Sequence, residues 1–220
     1  MAAGAESSGG APAALAEAWI VALDAGLLVL DKPAGLLCQP GLGPAQADAL
    51  ISRVRRRWPA AELVHRLDRD TSGLILVALE PDLHRALSRL FAARAVSKRY
   101  LADVAGRPSQ PAGRIELPIA KRCHRPPLYG PDPAGKPSRT DWRLLAVRPD
   151  GHSSRLELRP RTGRSHQLRV HLSAVGHPIL GDPLYGPPAA EQRLHLHACG
   201  LRFRHPATGR LCAYEAPCPF

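Results

Sequence analysis

One short segment of the chain places a carboxylate among basic side chains next to a turn. Residues 65–73 read HRLDRDTSG, so that Asp68 lies between Arg66 and Arg69 and is followed by small, polar, turn-forming residues. An aspartate in such surroundings can act as a nucleophile or as a general base. The same pattern also fits a surface turn, in which Asp68 caps the loop and pairs with one of the arginines. The segment alone leaves both interpretations open.

The elements around this segment are predicted from apolar runs and from the glycines and prolines between them. Strands are predicted at AWIVAL and LLVLDKP, and LVHRL and GLILVAL predict two more strands on either side of a tight loop that starts at Asp68. Helical spacing of apolar residues predicts helices over residues 46–57 and around Leu83 to Phe91. The carboxylate is therefore expected where a loop meets a sheet.

The second half of the chain is also rich in predicted strands. They lie at SKRYLADVA, GRIELPIA, TDWRLLAVR and SSRLELRP, with a long basic loop over residues 121–137 as a candidate for substrate contact. TGRSHQLRVHLSAVG predicts a helix with the apolar stripe Leu168, Leu172 and Val175. LHLHACGLRFRHP and LCAYEAP predict a C-terminal hairpin.

Strands outnumber helices in this prediction, which indicates an α+β fold with a mixed, mostly antiparallel sheet flanked by helices and loops. The Ala-, Gly- and Ser-rich start of the chain predicts a flexible N-terminal tail over residues 1–17. We expect one catalytic domain over residues 18–220.

The charge of the chain points to a polyanionic partner. Its 220 residues include 30 Lys and Arg against 19 Asp and Glu, which gives a formal net charge of +11 and a pI near 10.2. Such a surplus is typical of nucleic-acid binding, although an arginine-rich surface without a partner would have the same composition. Only 5% of the residues are aromatic, which argues against a sheet that stacks successive bases.

Cysteine usage and the N-terminus indicate the compartment. The cysteines are odd in number and scattered, which predicts free thiols in a reducing environment: Cys38, Cys123, Cys199, Cys212 and Cys218. One group fits no standard zinc spacing, so no metal is predicted for His195, His197, Cys199, His205 and Cys212. The first residues lack the basic start of a signal peptide, and no apolar run reaches the length of a membrane span. We expect a cytoplasmic protein without membrane association.

Four motifs in order resemble the RluA-type pseudouridine synthases. HRLDRDTSG matches the signature stretch of that family, and LDKPAGL, SKRYLA and TGRSHQLRVHLSAVGHPILGDPLYG are similar to its other motifs. The resemblance implies the pseudouridine synthase fold and the isomerisation of specific loop uridines in tRNA and/or 23S rRNA, with no cofactor. The layout resembles the short bacterial members that modify both a tRNA anticodon loop and a large-subunit rRNA hairpin. A monomer that binds structured RNA is expected.

The resemblance also implies roles for individual residues. Asp68 matches the catalytic aspartate, Tyr100 the active-site tyrosine beside the target base, and Arg169 the arginine paired with the aspartate. Arg66 matches the residue that takes the place of the flipped nucleotide, which suits a guanidinium that can stack. The remaining substrate-binding residues are expected in the same motifs: His65, Thr71, Arg164, His166 and Gln167.

Alternatives remain at the level of mechanism and function. A single carboxylate is sufficient because the uracil never leaves the site, but covalent attack on C1′ and formation of a glycal are equally compatible with Asp68. Neutral histidines such as His65, His166 and His171 are more often structural than catalytic, and Tyr185 and Trp142 are expected to pack. The rival functions are a non-catalytic RNA-binding or chaperone protein on the same fold, a family member specific for rRNA alone, and a zinc- or histidine-dependent hydrolase.

Overall fold

The computed structural model describes residues 13–124, 127–149, 151–187 and 193–220. Within these residues the helices are α1 (Leu50–Arg55), α2 (Pro81–Ala92) and α3 (Gln167–Ala174). The strands of the first half are β1 (Ile20–Asp24), β2 (Leu27–Lys32), β3 (Glu62–Leu63), β4 (Ser72–Ala78), β5 (Ser97–Ala105) and β6 (Ala112–Ile115). Those of the second half are β7 (Ile119–His124), β8 (Pro127–Pro131), β9 (Thr140–Val147), β10 (Ser153–Pro160), β11 (Leu196–Arg204) and β12 (Leu211–Glu215).

Most of these strands form one mixed sheet. Its order is β1-β2-β4-β11-β5-β10-β9-β6, with β12 paired to β11 and β3 paired to β4. Among the described strands the β4–β11 pairing is parallel, and the other pairings of this sheet are antiparallel. Strands β7 and β8 form a separate hairpin. The architecture confirms the predicted α+β fold with a mixed, mostly antiparallel sheet, and β11 with β12 confirms the predicted C-terminal hairpin.

Strand β4, which follows Asp68 in the chain, is packed on both faces. All seven of its residues are buried. Leu74 and Leu76 belong to the apolar cluster that includes α2, whereas Ile75 and Val77 belong to the cluster that includes α1. Because successive side chains of a strand point to opposite faces, a strand covered on both sides needs a continuous apolar run. The loop that carries Asp68 is therefore attached to one of the most buried elements of the fold.

Gly73 allows β4 and β11 to approach closely. Its φ is +114°, and a Cβ at this position would lie 2.4 Å from the carbonyl oxygen of Ala198 on β11. No side chain fits in that space, and the backbone conformation is one that glycine alone adopts easily. The glycine of the HRLDRDTSG motif is thus required by the sheet, next to the site.

A third apolar cluster lies between the sheet and α3. Leu168 and Leu172 of α3 pack there against residues of β5 and β10. The expectation for Val175 was wrong, because α3 ends at Ala174 and Val175 is 43% exposed. The helix also buries Gln167 and His171 on its polar side.

Several of the predicted elements differ from the structure. The single strand expected at GRIELPIA is divided between β6 and β7, which belong to different sheets. The helix expected over residues 46–57 is shorter, because a separate 3-10 helix occupies Pro44–Gln46 before α1 starts. The strand expected at LVHRL is only Glu62–Leu63. The Val64 amide still donates to the Leu76 carbonyl, but the Leu76 amide donates to the ring of His65, so backbone pairing ends there. The loop expected over residues 121–137 contains the β7–β8 hairpin, whose prolines lie at the ends of β8, where strands tolerate them.

Part of the predicted tail, residues 1–12, lies outside the described residues. Within the rest of it, Leu15 packs against the cluster that includes α1, and Glu17 begins a 3-10 helix that runs to Trp19. The division into a tail and a catalytic domain stays a prediction. Of the described helices, none has the length and apolar character to cross a membrane.

Candidate active site

A cavity of about 260 Å³ lies where the loop before β4, strand β5 and the start of α3 meet. All of the residues predicted to be catalytic or to bind substrate line it: His65, Arg66, Asp68, Thr71, Tyr100, Arg164, His166, Gln167 and Arg169. The motifs are up to about a hundred residues apart in the chain, and the fold brings them together. The volume is near the lower end of the range for small-molecule sites, about 300–1,000 Å³, which suits one nucleoside.

The backbone on both sides of Asp68 is held in place. The Leu67 amide donates to Cys38 Sγ at 3.3 Å, and the thiol donates back to the Leu67 carbonyl at 3.2 Å. The Arg69 carbonyl accepts a hydrogen bond from Lys32 Nζ at 2.9 Å. Asp68 therefore projects into the cavity from a backbone with little freedom.

Lys32 is a positioning residue that the sequence reasoning missed. Its side chain is fully buried, and Nζ also donates to the carbonyls of Pro33 and Leu36, at 2.7 and 2.8 Å. Burial lowers the pKa of Lys32 to about 8, although nearby groups, including the carboxylates of Asp68 and Asp70, raise it in part. The LDKPAGL motif contained the signal, since a lysine between an apolar strand and a Pro-Ala-Gly turn is placed to bind loop carbonyls.

The second missed residue is Asp182, which fixes Arg169. Arg169 Nε and Nη2 donate to the two oxygens of Asp182 at 2.8 and 2.7 Å, and both side chains are buried. Asp182 also accepts hydrogen bonds from the amides of Leu184 and Tyr185. This bidentate geometry is the strongest arrangement that an arginine and a carboxylate form. It raises the pKa of Arg169 despite its burial, so the guanidinium is a permanent cation.

Arg169 also reaches Asp68, as the resemblance implied. Its Nη1 lies 3.4 Å from Asp68 Oδ2, a longer contact than either of those to Asp182. The Asp68 side chain is 19% exposed, whereas that of Arg169 is 3% exposed. Asp68 thus has a fixed positive partner on one side and an open side toward the cavity. Among the residues described as lining the cavity it is the only carboxylate.

Tyr100 enters the cavity from β5 as a neutral phenol. Burial raises its pKa well above the usual value, and the negative charge of Asp68 adds to the increase. The ring contacts the apolar clusters on both sides of the cavity. At neutral pH Tyr100 offers an aromatic face and an uncharged hydroxyl.

His166 is linked to two tyrosines. Its Nδ1 lies 2.7 Å from the hydroxyl of Tyr185, which in turn accepts a hydrogen bond from the Tyr129 amide at 3.0 Å. With the tyrosine hydroxyl as donor to Nδ1, the proton of the neutral ring is on Nε2, 3.9 Å from Asp68 Oδ1. Burial lowers the pKa of His166, although Asp68 opposes this in part. Tyr185 does pack, as expected, with its ring beside the guanidinium of Arg169.

Some predicted substrate-binding residues use their polar groups within the protein. His65 accepts the Leu76 amide, and burial lowers its pKa to about 3. Gln167 accepts from the Thr162 hydroxyl and the Arg164 amide, and it donates to the Arg139 carbonyl. Both side chains form part of the cavity wall. Because these polar groups are already hydrogen-bonded within the protein, they are not free for the predicted contacts with substrate.

Arg66 has the opposite character, because it is exposed and uncommitted. Its guanidinium makes no hydrogen bond or ion pair with other residues in the described part of the chain. Lys98 is a further cation in the cavity wall, with its Nζ 3.4 Å from the Thr162 carbonyl oxygen. Burial and the neighbouring Arg94 lower its pKa. No group of three or more potential metal ligands is found among the described residues.

Comparisons with known proteins identify the family. A family model described as RNA pseudouridylate synthase matches residues 26–174. The chain is 43% identical over 210 residues to the dual-specificity RNA pseudouridine synthase RluA of Salmonella typhi, a match that covers 93% of this chain and 95% of that protein. It is 44% identical over 205 residues to the protein of the same name from Pasteurella multocida, with coverage of 91% and 93%.

Two solved human structures share the fold. RNA pseudouridylate synthase domain containing 1 superimposes with a TM-score of 0.76 at 31% identity and covers 91% of this chain and 83% of its own. RNA pseudouridylate synthase domain containing 4 superimposes with a TM-score of 0.73 at 27% identity, and the match covers 91% of this chain and 88% of that one. The chain therefore belongs to the RNA pseudouridylate synthase family. Its curated relatives place it among the RluA-type members, and its activity is that of an RNA pseudouridine synthase, an isomerase.

Proposed function

We propose that this enzyme isomerises loop uridines in tRNA and in large-subunit rRNA, and that Asp68 starts the reaction. The observation that carries the proposal is Asp68, the one carboxylate among the described residues of a nucleoside-sized cavity, 3.4 Å from an arginine that Asp182 holds in place. The dual substrate rests on the relatives, which are named dual-specificity enzymes. A cytoplasmic location, a monomeric state and independence of any cofactor remain predictions.

The reaction requires that the C1′–N1 bond breaks, the uracil turns, and C1′ bonds to C5 with loss of the C5 proton. Asp68 can attack C1′ and form an ester bond that breaks again when C5 bonds to C1′, or it can remove the proton from C2′ and return it when C5 adds to the glycal. Both routes use the ionised carboxylate. Arg169 stabilises that negative charge by Coulombic attraction across a short distance. Because the uracil stays bound, no second carboxylate is needed to activate water, in contrast to glycoside hydrolysis.

Tyr100 serves as the wall against which the uracil ring packs. Its aromatic face supplies contact area for the base. Its raised pKa argues against a phenolate that removes the C5 proton, so we assign it a packing role with an uncharged hydroxyl. Burial lowers the pKa of His166, so its ring is neutral at neutral pH, and its Nδ1 stays hydrogen-bonded to the Tyr185 hydroxyl.

Arg66 is proposed to stabilise the RNA after the uridine has left its stack. Extrusion of a nucleotide costs a few kcal/mol, which a guanidinium stacked in the vacated space can offset. Arg66 is suited to this task because it is exposed at the cavity and has no partner among the described residues. Arg164, a half-buried residue whose Nε lies 3.3 Å from the Pro137 carbonyl oxygen, is the second cation expected to contact RNA.

The experiment is incubation of the purified protein, without metal or cofactor, with tRNA and rRNA from a strain that lacks its own copy of the enzyme. New pseudouridines are mapped by chemical adduct formation and sequencing, with Asp68→Asn as the control. Sites in both RNA classes from the wild type alone support the proposal. Sites in rRNA alone would refute the dual substrate, and RNA binding without any product would support the non-catalytic alternative.

A further inference from the structure

A second and larger cavity, of about 550 Å³, adjoins the active-site cavity. It lies between the β7–β8 hairpin, residues 134–136 and the loop before α3. The two cavities share Gly163, Arg164 and Ser165 as a common wall. A polymer that has one residue in the active site therefore has the second cavity directly beside it.

The lining of this second cavity is positive and has no compensating acid. Lys121, Lys136 and Arg164 line it, and no carboxylate is among its described lining residues. Neither lysine forms an ion pair within the described ranges of the chain. The arginines on the other side of the active site differ in this respect, because Arg139 and Arg161 pair with Asp141 and Arg159 pairs with Glu157. The cavity thus has charge available for an anionic ligand.

The backbone that carries these cations is built into the fold. Two backbone hydrogen bonds pair Lys136 with β7. The Lys136 amide donates to the Ile119 carbonyl at 2.9 Å, and the Ile119 amide donates to the Lys136 carbonyl at 3.0 Å. A Cβ on Gly135 would lie 2.6 Å from the carbonyl carbon of Ile119, so glycine permits this close approach. Arg164 Nε lies 3.3 Å from the Pro137 carbonyl oxygen. The backbone from which Lys136 projects and the guanidinium of Arg164 are therefore held in place by the protein itself.

Tyr129 connects the second cavity to the catalytic residues. It lies opposite Lys121 in the register of the hairpin, so both side chains are on the same face. Its ring meets the ring of His166 edge to face, with 5.1 Å between the centroids. The hairpin thus contributes one wall to the second cavity and a contact to the first.

We propose that the second cavity binds phosphates of the RNA strand next to the target uridine, with Lys121, Lys136 and Arg164 as their ligands. The inference rests on the proposed function, because an RNA substrate with its uridine beside Asp68 must continue past one wall of the active site. A volume about twice that of the active-site cavity accommodates a flanking nucleotide. Lysine and arginine that neutralise phosphates supply most of the sequence-independent affinity for nucleic acid.

The test compares two double variants that lose the same charge. Lys121→Ala with Lys136→Ala removes the lysines of the cavity, and Arg202→Ala with Arg204→Ala removes two exposed cations of β11 that line neither cavity. The probe is an anticodon stem-loop transcript that the wild-type enzyme modifies. For the lysine variant we expect KM to rise about tenfold. The plot of log affinity against log salt concentration should also become shallower by roughly 1.4, which is about 0.7 for each lost contact with a single-stranded phosphate. Its rate at saturating RNA should equal that of the wild type, and the arginine variant should keep the wild-type KM.

Shortened substrates locate the contact. One substrate lacks the nucleotides on the 5′ side of the target uridine, and the other lacks those on the 3′ side. With the substrate that lacks the contacted side, the lysine variant and the wild type should have the same KM. The proposal is overturned if KM for the full stem-loop is unchanged, if both double variants lose affinity equally, or if the difference survives both truncations. Failure of the wild-type enzyme to modify any RNA would instead overturn the proposed function itself.

Discussion

Replacement of Asp182 by asparagine tests whether Arg169 acts only because another residue holds it. The change preserves the shape of the side chain and removes its charge, so the buried guanidinium keeps Asp68, at 3.4 Å, as its nearest carboxylate. Arg169 is then expected to turn toward Asp68 and to disturb the geometry in which the carboxylate meets the sugar. Displacement of about 1 Å in a catalytic group can reduce the rate by about a hundredfold. We expect a fall in the single-turnover rate of at least about tenfold.

The stability of the same variant can also be worked from the structure. Asp182 accepts two hydrogen bonds from Arg169 and one each from the amides of Leu184 and Tyr185. Removal of one partner from a buried ion pair costs about 3–5 kcal/mol. For a protein of this size the loss corresponds to a fall in Tm of roughly 6–20 °C.

Asp103→Asn is the matched control. Asp103 is also fully buried and accepts hydrogen bonds from two arginines, Arg155 at 2.8 Å and Arg148 at 2.7 Å, but it does not line the active-site cavity. The assay is single-turnover conversion of a stem-loop RNA at a temperature well below both transitions, with Tm measured in parallel. We expect both variants to lose Tm and only Asp182→Asn to lose rate. Equal rates in the two variants, or a wild-type rate in Asp182→Asn, would refute the positioning role.

Three further variants address the RNA contact, the sheet and an ion pair. Arg66→Ala should reduce the rate on a stem-loop by about tenfold or more and have little effect on an unstructured oligonucleotide, where no stack is vacated; equal losses on both RNAs would contradict the role. Gly73→Ala should lower the free energy of unfolding by more than about 3 kcal/mol because of the contact with Ala198, whereas Gly151→Ala, which has open space, should lower it by about 1 kcal/mol; similar losses in thermal unfolding would contradict this. Burial would raise the pKa of Asp103, but hydrogen bonds from its partners lower it to about 2 from 3.8. Its contribution to stability is therefore present above about pH 4 and is lost as the pH falls toward 2, so the Tm difference between wild type and Asp103→Asn should shrink over that interval.

The sequence-based predictions were most accurate where the structure depends on local pattern. SKRYLADVA and SSRLELRP coincide with β5 and β10 residue for residue. Polar and apolar positions alternate through RLELR of the second segment, and the first is an apolar run that ends at Gly106. The site residues were predicted from the resemblance to the RluA-type family, residue by residue, and all of them line one cavity. Their roles are tested only by experiment.

The predictions failed where the structure depends on contacts that no local sequence pattern shows. The pairing of Arg169 with Asp182 spans a turn that no periodic pattern describes. The LDKPAGL motif places Lys32 beside the carbonyls of its own turn, but it does not show that the amine also binds the carbonyl of Arg69. The β7–β8 hairpin was missed because its prolines and glycines are also typical of loops. The strand at LVHRL ended early because a histidine ring replaced a backbone partner.

The most direct measurement of the central claim is the release of tritium from RNA that carries uridine labelled at C5. Formation of the C1′–C5 bond expels the label into water, so the signal reports the complete isomerisation. We expect stoichiometric release by the wild-type enzyme without added metal or cofactor. For Asp68→Asn we expect a rate at least about a thousandfold lower, with RNA affinity within about tenfold of wild type. Tritium release by Asp68→Asn at the wild-type rate would contradict the assignment of Asp68 as the residue that starts the reaction.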